Sequence, residues 1–459
     1  MKHENMKKEI KSQALTLPIP GKRFTWDFLE PAFKLAILIA GLIIVLLSIK
    51  YGFLFQGRMG ELNGFDSMFI RYLFVFSMVI FLFSLSFRTF LWFKYRPYDS
   101  RQVESWPEVT VIVPAYNEGE TVYRTIRSIV HSDYPQGKMH IIGVNDGSRD
   151  NTYFHMERAR AEFSHMVDVI NQPVNKGKRQ GIYDAYKKAR TPFIITIDSD
   201  TKLETSSIKE ILTPMILNDK IGAVTGRIKV WNKEANMLTR MLHAHFAMAF
   251  DFTRAIQSTF SCVFCLAGAF SAYRVSVLRI FMERWLNQKF LNITCTYGED
   301  RSLTNHILRE GYGSYFQRSA ISHTIVPEKF TKVMKMLTRW ARSNIRETII
   351  FSKLMFNSKR RGNKILPFIE FFSTVSLLLL HFIWFYYFLF SGMVNANFLF
   401  RILSYSVFFG FLYILYYMRI EGKKDSSYIV FFSVFASIFM IWIFTVAGFT
   451  LTRKGWSTR

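Results

Sequence analysis

Cysteine is scarce in this 459-residue chain, which has only Cys262, Cys265 and Cys295. Three thiols make no paired disulfide framework, and a cytoplasmic setting would keep them reduced. Cys262 and Cys265 have the spacing of half a zinc site, but without a second pair and with apolar neighbours they read as packed core thiols. Acidic residues are also few, 34 against 59 Lys and Arg, for a formal charge of +25. That surplus does not point to nucleic acid, because the cations are spread through the chain and flank its apolar runs. Anionic membrane lipid, a diphosphate and an acidic sugar suit them better. A cleavable signal peptide is not expected, since the first apolar run starts only at about Leu35, behind a polar and basic stretch.

What the chain has in abundance is apolar surface: half of it is hydrophobic and 17% aromatic, too much for an ordinary soluble domain. The excess falls toward the two ends. Apolar runs at about Leu35–Phe55, Tyr72–Phe93, Ile365–Phe390, Phe398–Met418 and Tyr428–Leu451 each approach the ~20 residues that a bilayer requires. Lys2, Lys7, Lys8, Lys11, Lys22, Arg23 and Lys34 precede the first run, so the positive-inside rule assigns residues 1–34 to the cytoplasm. Two crossings within 35–94 then return the chain, which makes the polar middle a cytoplasmic domain of a multi-pass protein of the cell membrane. Three further crossings would leave Arg453, Lys454 and Arg459 outside, against the same rule. One segment of 365–459 is therefore expected to be re-entrant or interfacial, and hydropathy does not say which.

The middle alternates strand and helix patterns. Val109–Pro114, Met139–Val144, Val167–Asn171 and Pro192–Ile197 read as strands, and Glu120–His131 as the first helix between them. An α/β fold with a mostly parallel sheet follows, in which ligands bind beyond the strand carboxyl ends. Asn117, Asp146, Asp198 and Asp200 fall there. Asp198 and Asp200, one residue apart where a buried run breaks surface, suit Mg²⁺ or Mn²⁺ carrying a diphosphate; the same triplet also makes a helix cap or turn. Asp146 before Gly147 reads either as a nucleoside contact or as an Asx-turn. Lys176, Lys178 and Arg179 around Gly177 form a grip for a diphosphate or a solvated loop. Asp300, near a helix start, is a cap or a general base whose pKa Glu299 helps to raise. Displacement at an anomeric carbon needs one such base and a stabilised leaving diphosphate, with no nucleophilic Ser or Cys. Thr331–Lys353 is amphipathic: it reads as an interfacial helix and, compatibly, as a cover that brings Arg339 and Trp340 over a nucleotide.

In order along the chain stand Pro114-Ala-Tyr-Asn-Glu118, Asn145-Asp-Gly-Ser148, Asn175-Lys-Gly-Lys-Arg179, Ile197-Asp-Ser-Asp-Thr201, Gly298-Glu-Asp-Arg301 running on through Thr304-Asn305, and Arg339-Trp340. With a closing Trp456-Ser-Thr-Arg459, this set resembles the membrane-integrated family 2 inverting glycosyltransferases, most closely hyaluronan synthases and the related chitin-oligosaccharide and capsule synthases. The resemblance implies a GT-A type domain over about 95–330, interfacial helices over 331–364, and membrane or re-entrant segments over 365–459. It implies UDP-sugar substrates and a growing β-linked polysaccharide passed across the membrane. It assigns Tyr116, Glu118, Asp146, Lys178, Asp198, Arg339, Trp340, Trp456 and Arg459 to the nucleotide and donor. Asp198 and Asp200 go to the metal, Asp300 to the catalytic base, and Glu299, Arg301, Gly268 and Trp340 to the acceptor. Three positions depart from the family pattern: Met336 replaces a Gln, Ala267 and Ala269 flank Gly268 where hyaluronan synthases have Ser and Pro, and Ser457 replaces a Gly. Hyaluronan is the expected product. A chitin-like or other capsule polymer, a single transfer to a lipid, and a non-catalytic polymer-export subunit are the alternatives.

Overall fold

The structure, a computed structural model, describes residues 65–355, 363–390 and 396–453. The expected first span, the basic segment before it, and Trp456 and Arg459 lie outside the described residues.

Ten strands form: β1 (Val109–Ala115), β2 (Met139–Asp146), β3 (Val167–Gln172), β4 (Phe193–Ile197), β5 (Thr201–Leu203), β6 (Ile221–Val230), β7 (Phe270–Arg274), a small β8–β9 hairpin (Lys289–Phe290 with Ile293–Thr294) and β10 (Gly313–Thr324). Eight make one sheet in the order β3-β2-β1-β4-β7-β6-β10-β5. The four strands expected from sequence form its parallel half. They are β-branched runs; β1 and β4 are buried along their whole length, while the edge strand β3 is partly exposed. The other half is mixed rather than parallel: β7 runs antiparallel to both β4 and β6, and β5 antiparallel to β10. The sheet therefore reverses direction beside β4, next to Asp198. Helices supply the cover. Thr121–Val130 buries Val122, Ile126 and Ile129 on one stripe, each apolar side chain contributing about 1.5–3 kcal/mol.

Among the described residues, three helices are long and apolar enough to cross a membrane: Phe65–Lys94 through its Val75–Lys94 portion, Ile365–Phe390 through Ile365–Trp384, and Tyr428–Phe449. The helix Ala396–Glu421 runs antiparallel along the last of these, with Ser406 bonded to Ser437 at 2.6 Å and Gly410 against Val430. Buried charge ties the helices to the sheet. Asp251 accepts from Arg318 at 2.6 Å and pairs with Arg227 at 3.3 Å, while Arg227 also reaches Glu421 at 2.7 Å. Arg419 stacks its guanidinium over Trp92, 5.3 Å from the ring.

The helix Tyr428–Phe449 touches the α/β-domain side at both ends. Asp425, just before it, pairs with Lys233 at 3.1 Å, and Arg240 lies 5.6 Å from the Tyr428 ring. Beyond its other end, Arg342 donates to Thr450 Oγ1 at 2.8 Å and Tyr297 donates to the Leu451 carbonyl at 3.1 Å. A helix of this length is about 33 Å long and would separate its ends by a bilayer if it stood upright. Reporter cysteines at Lys424 and Thr452 should therefore react with an impermeant thiol reagent from the same side of sealed vesicles. Reaction from opposite sides would contradict this geometry.

Candidate active site

The loops after β1 and β2 are stitched together. Asn117, in the left-handed region at φ 56°, donates through its N–H to Ser148 Oγ at 3.0 Å, and its side-chain oxygen accepts from the Arg149 N–H at 2.9 Å. Thr152 Oγ1 takes the N–H groups of Glu118 and Gly119 at 2.7 and 2.9 Å. Tyr116 and Glu118 stand half-buried on this rim. Asp146, at the end of β2, spends both carboxylate oxygens on the next loop, accepting from Lys176 N–H at 2.7 Å and Gly177 N–H at 2.9 Å. Burial pushes its pKa up even so. Asp146 thus makes no Asx-turn of its own; it orders the segment that delivers Lys178.

Lys178 opens the helix Lys178–Lys188 and is the hub of the site. Its ammonium lies 2.5 Å from Asp198 Oδ1 and 2.9 Å from Glu299 Oε1. Burial works against the charge, but the two carboxylates outweigh it and hold Lys178 protonated far above neutrality. Burial opposes ionisation of Glu299 too, yet Lys178 pulls its pKa down to about 2. Asp200 accepts from the Thr324 hydroxyl at 3.3 Å, and burial with the neighbouring Asp198 charge pushes its pKa up to about 7.

Asp300 sits in the first turn of the helix Glu299–Arg309, which begins three residues earlier than the sequence pattern predicts. Gly298 caps it at φ 73°, and a Cβ there would overlap Ser343 of the long helix Phe330–Leu354, so only glycine permits this approach. Gly268 N–H donates to Asp300 Oδ2 at 3.4 Å. A side chain on Gly268 would meet Lys178 Nζ at 3.0 Å, Glu299 Oε1 at 3.6 Å and Asp300 Cβ at 3.7 Å, which measures how closely the three converge. Burial first, then the Glu299 charge, raise the Asp300 pKa. The Arg339 guanidinium, from the same long helix, feels the charges of Glu299, Asp300, Asp198 and Asp200.

Two expected residues make contacts the sequence does not reveal. Arg301 bonds through its guanidinium to Asn344 and, at 2.7 Å, to Thr348, which fastens the helix Glu299–Arg309 to the long helix. Trp340 packs among aromatic rings, 5.9 Å from Phe246 and 6.1 Å from Phe250. Sequence reasoning missed the buried Glu347, which takes Arg346 at 3.0 Å, Gln288 at 3.1 Å and Asn305 at 2.9 Å beneath the base helix. Nothing local marks it, because its partners come from three separate segments. Cys265 is a half-buried thiol, unlike the buried Cys262 and Cys295; its Sγ lies 4.0 Å from Asp300 Oδ2, and desolvation together with that carboxylate pushes its pKa up to about 12.

The four carboxylates outnumber the cations Lys178 and Arg339, and the Asp200 pKa is raised by burial first and then by the Asp198 charge. The donor set fits a divalent cation, with Asp200 and Asp198 as its oxygen ligands. Because the folded-state pKa of Asp200 stands above the unfolded value, the native state binds the extra proton between roughly pH 4 and 7, and stability falls as pH rises through that window. Asp200→Asn should therefore raise Tm at pH 8 in chelator, with the gain vanishing near pH 4, and should abolish the Tm increase that Mn²⁺ gives the wild type. A variant less stable than wild type at pH 8, or still stabilised by Mn²⁺, would contradict the assignment.

Residues 107–343 match the family described as "Glycosyltransferase like family 2". The chain is 30% identical over 252 residues to an N-acetylglucosaminyltransferase of Azorhizobium caulinodans, covering 55% of this chain and 63% of that one. It is 31% identical over 270 residues to a hyaluronan synthase of Streptococcus pyogenes, covering 58% and 62%. It is 28% identical over 291 residues to hyaluronan synthase 1 of Xenopus laevis, covering 52% and 49%. The match thus spans under two thirds of each relative. Among solved structures, a mannosyltransferase from Pyrobaculum calidifontis, in complex with GDP-Man and Mn²⁺, superposes with a TM-score of 0.50 at 14% identity, covering 80% of this chain and 99% of its own. That likeness carries the GT-A-like fold. With its family match over the sheet, the base helix and the long amphipathic helix, this chain belongs to the family 2 glycosyltransferases.

Proposed function

We propose that the chain is a processive inverting glycosyltransferase that polymerises UDP-sugars into a β-linked polysaccharide and passes it across the cell membrane, with the catalytic domain in the cytoplasm. The observation that carries the reading is Asp300, a half-buried carboxylate beside Gly268, set next to the Lys178–Asp198–Glu299 cluster. Asp300 takes the proton of the acceptor hydroxyl, whose oxygen attacks the anomeric carbon from the face opposite the nucleotide. The bond to UDP breaks as the new one forms, and UDP leaves with the electron pair. Lys178 and Arg339 neutralise the charge that gathers on the diphosphate. Mg²⁺ or Mn²⁺, held by Asp200 and Asp198, would supply further Lewis-acid stabilisation of that leaving group. Tyr116 and Glu118 line the nucleotide side, while Trp340, Trp456 and Arg459 close over it. Membrane lipid contacts the apolar helices, and Tyr428–Phe449 is the segment that stays at the interface.

Hyaluronan, made from UDP-GlcNAc and UDP-glucuronate, is the product this reading favours. Ala267 and Ala269 beside Gly268 favour a second, a chitin-like polymer of N-acetylglucosamine alone. The full-length protein in detergent with Mn²⁺, given each donor separately and then both, decides between them by UDP release and product size. Release with both donors only supports hyaluronan; release with UDP-GlcNAc alone assigns the chitin-like product. Silence with every UDP-sugar would contradict the enzymatic reading and favour an export subunit.

Asp300→Asn should lower turnover by at least about 10²-fold, the low end for loss of a general base, while UDP binding persists. A base works only when ionised, and the Asp300 pKa is raised, so wild-type turnover should fall as pH is lowered through a value above the ordinary aspartate range. Near-normal turnover of the Asn variant would exclude Asp300 as the base.

A further inference from the structure

The loop from Cys262 to Ala269, which carries Gly268 to Asp300, is fastened on two sides. On the site side, Leu266 N–H donates to Thr304 Oγ1 at 3.0 Å and Ala267 N–H to Thr225 Oγ1 at 3.1 Å. Thr304 itself donates to the Asp300 carbonyl at 2.8 Å, so loop and base helix share one anchor. On the far side the loop hangs from the short helix Thr253–Ser258. Phe264 N–H donates to Gln257 Oε1 at 3.0 Å, and Arg254 Nε donates to the Cys265 carbonyl at 3.0 Å.

Gln257 is buried, and its amide nitrogen reaches Glu370 Oε1 at 3.4 Å. Glu370 lies in the second turn of the apolar helix Ile365–Phe390 with no exposed surface. Arg88, from the apolar helix Phe65–Lys94, grips both its oxygens at 3.0 and 3.1 Å and adds a bond to Thr374 at 2.7 Å. A buried ion pair between apolar helices is costly relative to packed hydrocarbon, so it marks a place where position matters. A parallel link is made by rings: Phe264 lies 4.9 Å from Phe351, which lies 5.5 Å from Phe371, the neighbour of Glu370.

We propose that Glu370 is a positioning residue for transfer: clamped by Arg88, it fixes Gln257 and thereby the loop that sets Gly268 against Asp300. The membrane helices then determine how the acceptor end is registered with the base. This rests on the glycosyltransferase reading above. The loop joins the Asp300 side of the site to the apolar helices, along which a product would leave.

The test uses full-length Gln257→Met, which keeps volume but removes both bonds, with Glu370→Gln as a second variant of unchanged shape should the first not fold. Backbone amide exchange at Phe264 and Leu266 should accelerate at least about tenfold while β1 to β4 stay protected. The donor KM should hold within about twofold, kcat for transfer should fall about tenfold, and the product should shorten. The exchange of roles in Gln257→Glu with Glu370→Gln should restore most of the loss. Unchanged exchange in the loop, or donor KM and kcat lost together, would overturn the positioning role. If the wild type transfers one sugar and never a polymer, the product reading fails by itself, while the exchange and the KM-against-kcat comparison still decide the role of Glu370.

Discussion

The Lys178 ammonium is the interaction on which the site depends, because it joins two halves of the domain that share no continuous backbone. Asp198 follows β4, in the parallel half of the sheet; Glu299 opens the base helix, about a hundred residues further on. One half-buried cation in contact with both fixes the distance between the end of β4 and the start of the helix Glu299–Arg309. A charge pair at 4 Å is worth roughly 4 kcal/mol at an effective dielectric of 20, and these contacts are shorter. Asp146 serves the same end from below, since its two backbone bonds to Lys176 and Gly177 shape the turn from which Lys178 emerges. The same ammonium lets Glu299 remain ionised, and that charge in turn helps to hold Asp300 in the range of a usable base.

The long helix Phe330–Leu354 is the second constraint, acting as a roof that belongs to the site and to the membrane side at once. From it come Arg339 over the carboxylates, Ser343 against Gly298, Asn344 and Thr348 on Arg301, and Arg342 on the end of the last apolar helix. A side chain at position 298 would push the helix and the base apart, so the left-handed glycine is a condition of assembly rather than a local preference. Charge is handled in the same economical way throughout: Asp251, Glu347 and Glu370 are all buried, and each is met by arginine.

Much of this was legible in the chain itself. The parallel strands announce themselves as β-branched runs, and Asp198, Asp200 and Asp300 are where a strand end and a helix start put them. The antiparallel half was not, because β7 has only five residues of mixed character and β6 carries two glycines, so neither shows a clean period. The work of Asp146 was hidden too: its partners are backbone N–H groups some thirty residues away, which no side-chain pattern records. The bonds of Arg301 to Asn344 and Thr348 were hidden as well, since these neighbours on the long helix become neighbours only in three dimensions. Hydropathy flagged a conflict among the carboxyl-terminal segments but could not name the segment, as composition carries no information about tilt. The contacts at both ends of Tyr428–Phe449 are what the proposed interfacial placement rests on.

The central claim is that one cluster, with Lys178 and Arg339 set among four carboxylates, would hold a nucleotide diphosphate and the proposed base Asp300 in register. A cryo-electron microscopy structure of the protein with UDP and Mn²⁺ tests it most directly. The account predicts diphosphate density between Lys178 and Arg339, a cation on Asp200, and Asp300 still beside Gly268. Diphosphate bound away from Lys178, with Lys178 still clamped between Asp198 and Glu299 and no cation on Asp200, would contradict it.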